Sequence, residues 1–202
     1  DMEEPTVLAF GNGEITCWTQ LIDLDGTSSS SGPGFNIHWS GPGIFSGQGT
    51  LTPTINAGGT YTLTITNIQN GCSEQASVEI DENLETPTAD LLPPLQIDCT
   101  NPIIAVDGSN SVLVGNTTIE WETDFGNILS GENTLTPTVD GGGTYILTLI
   151  NQDNGCSDEA SITVVEDMNP PTADAGPDQI MDCLNVTPIL SGNGSSSGTG
   201  IE

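Results

Sequence analysis

Two segments of the chain carry nearly the same sequence, LTPTINAGGTYTLTI at residues 51–65 and LTPTVDGGGTYILTL at residues 135–149. Apolar residues alternate with threonine toward the end of each segment, and residues 160–165 (ASITVV) show a similar alternation. A period of two, rich in threonine and β-branched residues, is typical of β-strands. Glycine (25) and proline (13) make up 38 of the 202 residues, which leaves no room for long helices. The sequence therefore predicts an all-β chain.

These segments belong to a longer repeat. Asn-Gly-Cys-Ser occurs at residues 70–73 and again at 154–157, and further cysteines recur at positions 17, 99 and 183. Self-similarity at a fixed spacing indicates a tandem array. Pro-Thr at positions 5, 87 and 171 marks the starts, so we predict complete repeats at 5–86 and 87–170. Residues 1–4 would be the tail of a preceding repeat and 171–202 the first part of a third, and we expect the chain to be part of a longer tandem protein.

Each repeat has the spacing of an immunoglobulin-like β-sandwich. Trp39 lies 22 residues after Cys17, and Tyr61 lies 11 residues before Cys72. A tryptophan in the third strand and a tyrosine entering the sixth fill the core of such a sandwich. The second repeat reproduces both spacings, so the predicted core aromatics are Trp39, Tyr61, Trp121 and Tyr145. The strands predicted in the first repeat are 7–10, 21–24, 35–39, 52–55, 60–66 and 75–80.

The repeats resemble a known family. Residues 173–179 (ADAGPDQ), 24–27 (LDGT) and 106–109 (VDGS), with the single tryptophan and Gly-Thr-Tyr, are similar to PKD-like immunoglobulin-type repeats. The placement of the cysteines resembles that in giant secreted surface proteins of Bacteroidota. The resemblance implies an extracellular array of β-sandwiches in an adhesin, stalk or filament, and it carries over no catalytic residue. The third repeat departs from the pattern, because Ser191 stands where the other two have aspartate.

The charge of the chain excludes several functions. It contains 28 acidic residues and no lysine or arginine, so its formal net charge is −28. Nucleic-acid binding is excluded because phosphate neutralisation needs basic side chains. A P-loop, a pyridoxal-phosphate Schiff base and a polybasic membrane anchor are excluded for the same reason. The sequence shows neither a membrane span nor a repeated catalytic spacing, and we predict a protein that is not an enzyme.

Five cysteines at repeated positions in such a chain indicate disulfides and an oxidising compartment. The first interpretation pairs them within each repeat, as Cys17–Cys72 and Cys99–Cys156, and leaves Cys183 for a partner elsewhere. An immunoglobulin-like strand order argues against it, because it places the two cysteines of one repeat at opposite ends. Head-to-tail stacking would instead join neighbouring repeats as Cys17–Cys156, and both pairings remain open at this stage.

Acidic residues are densest near the predicted repeat junctions. Carboxylate clusters are ligands that Ca²⁺ prefers, so calcium is a candidate ligand there, although no EF-hand pattern is present. The alternative, which we favour, is a solvated acidic surface with aspartate as a turn residue. The candidate calcium ligands are Asp81, Glu82, Glu85, Asp90, Glu166, Asp167 and Asp174.

Two classes of function fit these features. The first is a secreted structural protein whose repeats form a filament, fibre or stalk on or outside the cell by contact with copies of itself. The second is an adhesin whose repeats bind a glycan or a surface, for which exposed loop aromatics would be needed. Trp18 and Phe45 are the candidates, because Phe10 and Phe35 fall on predicted strands and Phe125 is assigned to the core. A weaker third alternative is a spacer region of a secreted enzyme.

Overall fold

A computed structural model describes residues 4–184 and 187–196, and the described residues form strands and loops without a helix. The all-β prediction is confirmed. In the first half the strands are β1 (Glu14–Ile15), β2 (Ile22–Asp23), β3 (Phe35–Ser40), β4 (Ile44–Ser46), β5 (Thr54–Ile55), β6 (Gly59–Asn67) and β7 (Ser73–Glu82). In the second half they are β8 (Ile97–Asp98), β9 (Ile104–Ala105), β10 (Thr117–Asp124), β11 (Ile128–Ser130), β12 (Thr138–Val139), β13 (Gly143–Asn151), β14 (Ser157–Val164) and β15 (Glu166–Asp167).

Strands β1–β7, which we call the first unit, form a two-layered sandwich. One sheet has the order β1-β7-β6-β3 and the other the order β2-β5-β4. Strands β6 and β7 form a long antiparallel hairpin, and β1 runs parallel to the far end of β7. Every second residue of β6 from Tyr61 to Ile65 is buried, as the threonine alternation predicts. The core of this unit contains Ile15, Ile22, Leu24, Trp39, Ile55, Tyr61, Leu63, Ile65 and Ile80.

Strands β8–β15, the second unit, repeat this arrangement. Their sheets have the orders β10-β13-β14 and β11-β12-β9, and β8 pairs in parallel with β15. Since β15 follows β14 after one residue, the β8–β15 pair occupies the place that β1 and the end of β7 occupy in the first unit. The ranges 5–86 and 87–170 remain our proposed boundaries for the two units.

Buried tyrosines fix the same corner in both units. Tyr61 donates its hydroxyl to the carbonyl oxygen of Ala57 at 2.6 Å, and Tyr145 donates to Gly141 at 2.6 Å. A tyrosine near the start of this strand that bonds to backbone just upstream is a hallmark of immunoglobulin-like sandwiches. Burial raises the pKa of both phenols above the ordinary value. Because the two corners match, the units share local geometry as well as strand order.

The two predicted core tryptophans, Trp39 and Trp121, are buried to different extents. Trp39 is fully buried and donates Nε1–H to the carbonyl oxygen of Thr50 at 3.1 Å. Trp121 makes the equivalent bond to Thr134 at 2.8 Å but is only partly buried, at the edge of the second core. The first unit therefore has the more completely enclosed indole.

Some strands differ from the sequence prediction. Strands β1 and β4 were missed, and residues 7–10 contribute only a bridge between Phe10 and Asp25. The reason is length: β1 has two residues, too few to show a period, and its partner β7 is distant in sequence.

One local contact recurs at three places along the chain. The backbone N–H groups of Leu8, Asp90 and Asp174 donate to the hydroxyls of Ser29, Ser111 and Ser195 at 2.9, 3.0 and 2.8 Å. Each serine hydroxyl also donates back to the carbonyl oxygen of the same partner residue. The Asp174–Ser195 pair thus repeats the start contact of both units, which supports the proposed third repeat. Because the described residues form strands and loops only, none of them belongs to a helix that could span a membrane.

Candidate functional site at the junction of the two units

A disulfide joins the first unit to the second. It links Cys17, which follows β1, to Cys156, which precedes β14, and the two Cα atoms are 5.0 Å apart. The bonded cysteines are 139 residues apart in sequence. The first unit is therefore attached to the second by a covalent link in addition to the backbone.

The within-repeat pairings Cys17–Cys72 and Cys99–Cys156 are wrong in this structure. Cys72 lies at the start of β7, whereas Cys17 follows β1, which pairs with Asp81 and Glu82 at the end of β7. Strand β7 has ten residues, and at roughly 3.3 Å per residue it separates these cysteines by about 30 Å. A disulfide needs Cα atoms within about 7 Å. The two cysteines of one unit are therefore too far apart to bond.

Residues 16–19, the first arm, present Cys17 and Trp18 to the second unit. The arm is a tight turn in which Thr16 N–H donates to the Thr19 carbonyl at 3.0 Å and Thr19 N–H donates to Thr16 Oγ1 at 2.9 Å. Trp18 N–H donates across the junction to the carbonyl oxygen of Asn154 at 3.3 Å. The arm thus makes both a covalent and a hydrogen-bonded contact.

The indole of Trp18 lies directly on Gly155. A Cβ atom built at Gly155 would come within 2.2 Å of the Trp18 ring, and the glycine has a φ of +76°. Only glycine combines the left-handed backbone with this close approach. This contact is one reason why the Asn-Gly-Cys segment of the second unit requires glycine at position 155.

Two buried asparagines complete the junction. They belong to residues 151–156, the second turn, and Asn151 and Asn154 are 1% and 0% exposed. Asn154 Nδ2 donates to Asn83 Oδ1 at 2.9 Å and to the Glu85 carbonyl at 3.0 Å. Asn151 Nδ2 donates to the same carbonyl at 3.1 Å. The acceptors lie in residues 83–85, the first tail, so the buried amides of one unit are satisfied by the other.

The arm and the tail of the first unit are held together. Asn83 N–H donates to the carbonyl oxygen of Ile15 at 2.9 Å, directly after the parallel pairing of β1 with β7. Within the second turn, Asn154 Oδ1 accepts from Cys156 N–H at 2.9 Å. Each side of the junction is therefore held by hydrogen bonds within its own unit as well as by contacts with the other.

The candidate calcium ligands are not gathered into one site. Glu82 and Glu166 play the same structural role in the two units, because each accepts a backbone N–H, from Gly58 at 2.8 Å and from Gly142 at 2.7 Å. Glu85 contributes its backbone carbonyl to the junction. Across residues 4–184 and 187–196, no three His, Cys, Asp or Glu side chains form a group that could hold a metal ion.

Four aromatic side chains are exposed, and Phe10, at 52%, is the least exposed of them. Trp18 is 61% exposed at the junction, Phe45 is 65% exposed on β4, and Phe125 is 92% exposed. The assignment of Phe125 to the core is wrong: with a φ of +68°, it occupies the turn after β10 and its side chain points to solvent. Phe45 borders a surface groove of about 510 Å³ beside the disulfide, lined by Ile15, Thr16, Cys17, Gln20, Leu21, Phe45, Asn56 and Leu84.

Three aspartates cap turns with their carboxylates. Hydrogen bonds from Thr27 to Asp25, from Thr100 to Asp98 and from Ser109 to Asp107 hold the pKa of each carboxyl below its ordinary value. Asp25 and Asp107 follow the core residues Leu24 and Val106, in the Asp-Gly segments at residues 24–27 and 106–109. These acids therefore have a structural role in turns.

Comparisons with known proteins concern the fold only. No family model and no curated protein matches the chain. Similar solved structures include the extracellular domains 3–5 of Drosophila OTK, with 17% identity, 83% of this chain and 63% of that chain covered, and a TM-score of 0.38. The two packed sheets and the tyrosine corner of each unit make the fold an immunoglobulin-like β-sandwich.

Two further structures show the same range of similarity. The N-terminal eight Ig domains of Down Syndrome Cell Adhesion Molecule match with 13% identity, 78% of this chain, 27% of that chain and a TM-score of 0.44. The titin domains z1z2, in complex with telethonin, match with 14% identity, 84% of this chain, 100% of that chain and a TM-score of 0.32. The chain spans less than two thirds of the first two structures.

Proposed function

We propose that the chain is a segment of a structural extracellular protein, in which tandem immunoglobulin-like units are locked in series to form a filament, fibre or stalk. The observation that carries this proposal is the Cys17–Cys156 bond together with the buried Asn154 amide across the same junction. A flexible string of domains needs neither. A junction that is both cross-linked and fully hydrogen-bonded suits a protein whose function is to hold length and shape.

The free energies that the disulfide and the hydrogen bonds of the junction contribute support this role. Closing a loop of well over 100 residues by a disulfide stabilises the folded state by about 5 kcal/mol in the chain-entropy model. Each buried hydrogen bond adds about 1 kcal/mol, and leaving its acceptor unpaired would cost more. The covalent bond itself and the hydrogen bonds across the junction oppose separation of the two units, so the array resists bending at this point.

Several features support an extracellular location and a role other than catalysis. Disulfides persist in oxidising compartments. The absence of lysine and arginine leaves proteases of trypsin specificity no site to cleave. The resemblance to PKD-like repeats of giant secreted surface proteins of Bacteroidota points the same way and brings no catalytic residue. Copies of the same repeat are the partners that this function requires.

Small-angle X-ray scattering tests the locked junction. A variant with Cys17→Ser and Asn154→Ala loses both the covalent and the amide link, and its radius of gyration should rise as the units separate. The matched control, Cys99→Ser with Asn70→Ala, carries the same changes at repeat-equivalent positions outside the junction and should scatter like the wild type. Equal profiles for the variant and the wild type would exclude a locked junction. Electron microscopy of the native material should show ordered fibres with an axial repeat.

An adhesin is the second candidate, and the groove beside Phe45 favours it. The exposed phenyl ring and the apolar side chains of Leu21 and Leu84 offer a surface for stacking a sugar ring. Binding of soluble glycans that is lost in Phe45→Ala and kept in Phe125→Ala would support this function.

A role as the spacer of a secreted enzyme requires a catalytic domain elsewhere in the same protein, which its complete gene sequence would reveal.

A further inference from the structure

The disulfide shortens the covalent route along the chain. Cys17 and Cys156 are 139 residues apart in sequence, yet their Cα atoms are 5.0 Å apart. At about 3.3–3.6 Å per extended residue, the backbone between them would reach roughly 460–500 Å if it were pulled straight. The bond therefore gives tension along the chain a second route, which leaves out residues 18–155 and with them almost all of both cores.

Residues 5–17 run along the whole first unit toward the junction. The Thr6 carbonyl accepts from Ser30 N–H at 2.9 Å, close to the start of β3 and so to the end of the unit opposite the junction. Phe10 then forms an isolated bridge, and β1 pairs with the last residues of β7 at the junction end. The segment from Thr6 to Ile15 reaches about 30 Å when extended, the same length as β7, so it has little slack.

Strand β14 continues this route through the second unit. It begins directly after Cys156 and is followed by β15, which ends at Asp167. Strand β15 pairs with β8 beside Cys99, at the end of the unit opposite the junction. Tension therefore enters an extended segment at one end and leaves it at the other. A strand already rises about 3.2–3.4 Å per residue, against a maximum of about 3.6 Å, so pulling adds almost no length.

Without the disulfide, tension would have to cross hydrogen bonds between strands. In the first unit it would pass from β1 to the end of β7 through a parallel pairing of two residues from each strand. In the second unit it would pass from β8 to β15 through an equally short pairing. Once such a pair separates, the load reaches the core strands, because these lie between the paired strands in sequence.

We propose that the Cys17–Cys156 bond makes the array a tension-bearing element, in which a load passes from residues 5–17 through the bond to residues 156–167. This inference rests on the proposed structural function and names the mechanical load that it serves. Residues 18–155 are bypassed, and they contain both buried tyrosine corners. The cores thus stay folded at loads that would otherwise unfold the units one after the other.

The bond and the buried amides of the junction have separable effects. The bypass needs the covalent bond alone, whereas a fixed angle between the units also needs the hydrogen bonds from Asn154 to the first tail. Asn154→Ala retains both cysteines. This variant therefore separates a link that bears tension from a link that is rigid.

Single-molecule force spectroscopy on the full chain, held by peptide handles at its two ends, tests the bypass. Cys72→Ser, Cys99→Ser and Cys183→Ser together give a parent protein in which a single disulfide can form. Under dithiothreitol each unit should unfold in a step of roughly 250 Å, for about 80 residues less their folded length. The oxidised parent should show neither step and should end about 460–500 Å shorter, because 139 residues stay outside the loaded route.

Three controls accompany this measurement. Cys17→Ser in the parent should lengthen fully with and without dithiothreitol, and oxidised Asn154→Ala should stay as short as the oxidised parent. Handles at Gly49 and Asn133, exposed turn positions that are equivalent in the two units, pull on residues inside the bypassed segment. In that geometry the units should unfold with the bond intact, because the bond redirects a load applied at the chain ends.

Unit-sized steps in the oxidised parent pulled from its ends would overturn the inference. Resistance to unfolding in both geometries would also overturn it, because the bond would then act by stabilising the fold. The Cys17–Cys156 peptide from the same preparation separates the possible failures. If the peptide is present and the steps occur, the tension-bearing inference fails alone. If the oxidised chain stays short while X-ray scattering shows no locked junction, the proposed rigid array fails and the tension-bearing link stands.

Discussion

The side-chain amide of Asn154, which is fully buried in the second unit, donates to Asn83 Oδ1 of the first unit at 2.9 Å. Its second hydrogen goes to the Glu85 carbonyl of the same tail. A buried amide whose donors both end on the neighbouring unit ties the fold of one unit to the position of the other. The junction therefore specifies one arrangement of the two units.

Replacing Asn154 by alanine should destabilise the chain by about 1–3 kcal/mol, because Asn83 Oδ1 and the Glu85 carbonyl each lose a donor and the buried Cys156 N–H loses its acceptor. Chemical denaturation measures the loss. Asn70→Ala is the matched control, because it removes the same bond within a turn, from Cys72 N–H to Asn70 Oδ1, at the repeat-equivalent position. Equal losses for the two variants would contradict a stabilising role of the amide across the junction.

Gly155→Ala should destabilise the chain more than Gly71→Ala. Both glycines have a left-handed φ, which costs alanine about 1 kcal/mol. At Gly71 an added Cβ meets nothing within 4 Å, whereas at Gly155 it would overlap the Trp18 ring. Thermal unfolding of both variants measures the difference, and adding Trp18→Ala should rescue part of the loss at Gly155 only. Equal costs at both sites would contradict the indole contact.

Stability should fall as the pH rises above 10. Burial raises the pKa of Tyr61 and Tyr145 above the ordinary value of 10.0. A raised folded-state pKa contributes stability that is complete below the unfolded-state pKa and is lost as the pH rises through the folded-state pKa. Tyr61→Phe should lower stability at pH 7 by about 1 kcal/mol, because the Ala57 carbonyl loses its donor.

Denaturation curves from pH 8 to 12 check this dependence. The Tyr61→Phe variant should lose less stability than the wild type on going from pH 9 to pH 12, since one of the two buried phenols is gone. Identical alkaline slopes for the variant and the wild type would contradict the role of Tyr61.

Stability should also fall in acid as the turn-capping aspartates protonate. Hydrogen bonds from Ser109 lower the pKa of Asp107 below 3.8, so its contribution is present above that pH and is lost as the pH falls through the lower folded-state value. Asp107→Asn keeps an oxygen acceptor that does not titrate. It should flatten the loss of stability between about pH 4 and pH 2, while Glu132→Gln, a change of an exposed carboxylate, should leave the slope unchanged. An unaltered slope in Asp107→Asn would contradict this assignment.

Calcium should have little effect on the described units. The seven candidate carboxylates do not come together in threes, and Glu82 and Glu166 already accept backbone N–H groups. We therefore expect the same melting temperature in excess chelator and in millimolar Ca²⁺. A rise of several degrees with Ca²⁺ that Asp81→Asn or Asp167→Asn abolishes would restore calcium as a junction ligand.

The parts of the fold that could be predicted from the sequence are those with local patterns. The alternation of apolar residues with threonine in β6 and β13 predicts long half-buried strands. The spacing of Trp39 and Tyr61 from the cysteines predicts the sandwich. Strands of two residues such as β1 and β8 carry no period, because their pairing depends on distant partners. Phe125 was misplaced because only the backbone turn, and not its hydrophobicity, decides where its side chain points.

Only some of the residues of the candidate site could be predicted from the sequence. The repeated cysteines indicate disulfides, but whether Cys17 pairs with Cys72 or Cys156 depends on which ends of two units meet in space. The buried Asn151 and Asn154 were missed as junction residues. The repetition of Asn-Gly-Cys was the available signal, yet it reads equally well as an ordinary turn.

The most direct test of the locked array is the disulfide map of the oxidised protein. A protease that cleaves after acidic residues separates the five cysteines, since an acidic residue lies between each neighbouring pair. Mass spectrometry of the unreduced digest should find residues 15–23, with Cys17, joined to residues 154–158, with Cys156. A peptide that joins Cys17 to Cys72 would contradict the account.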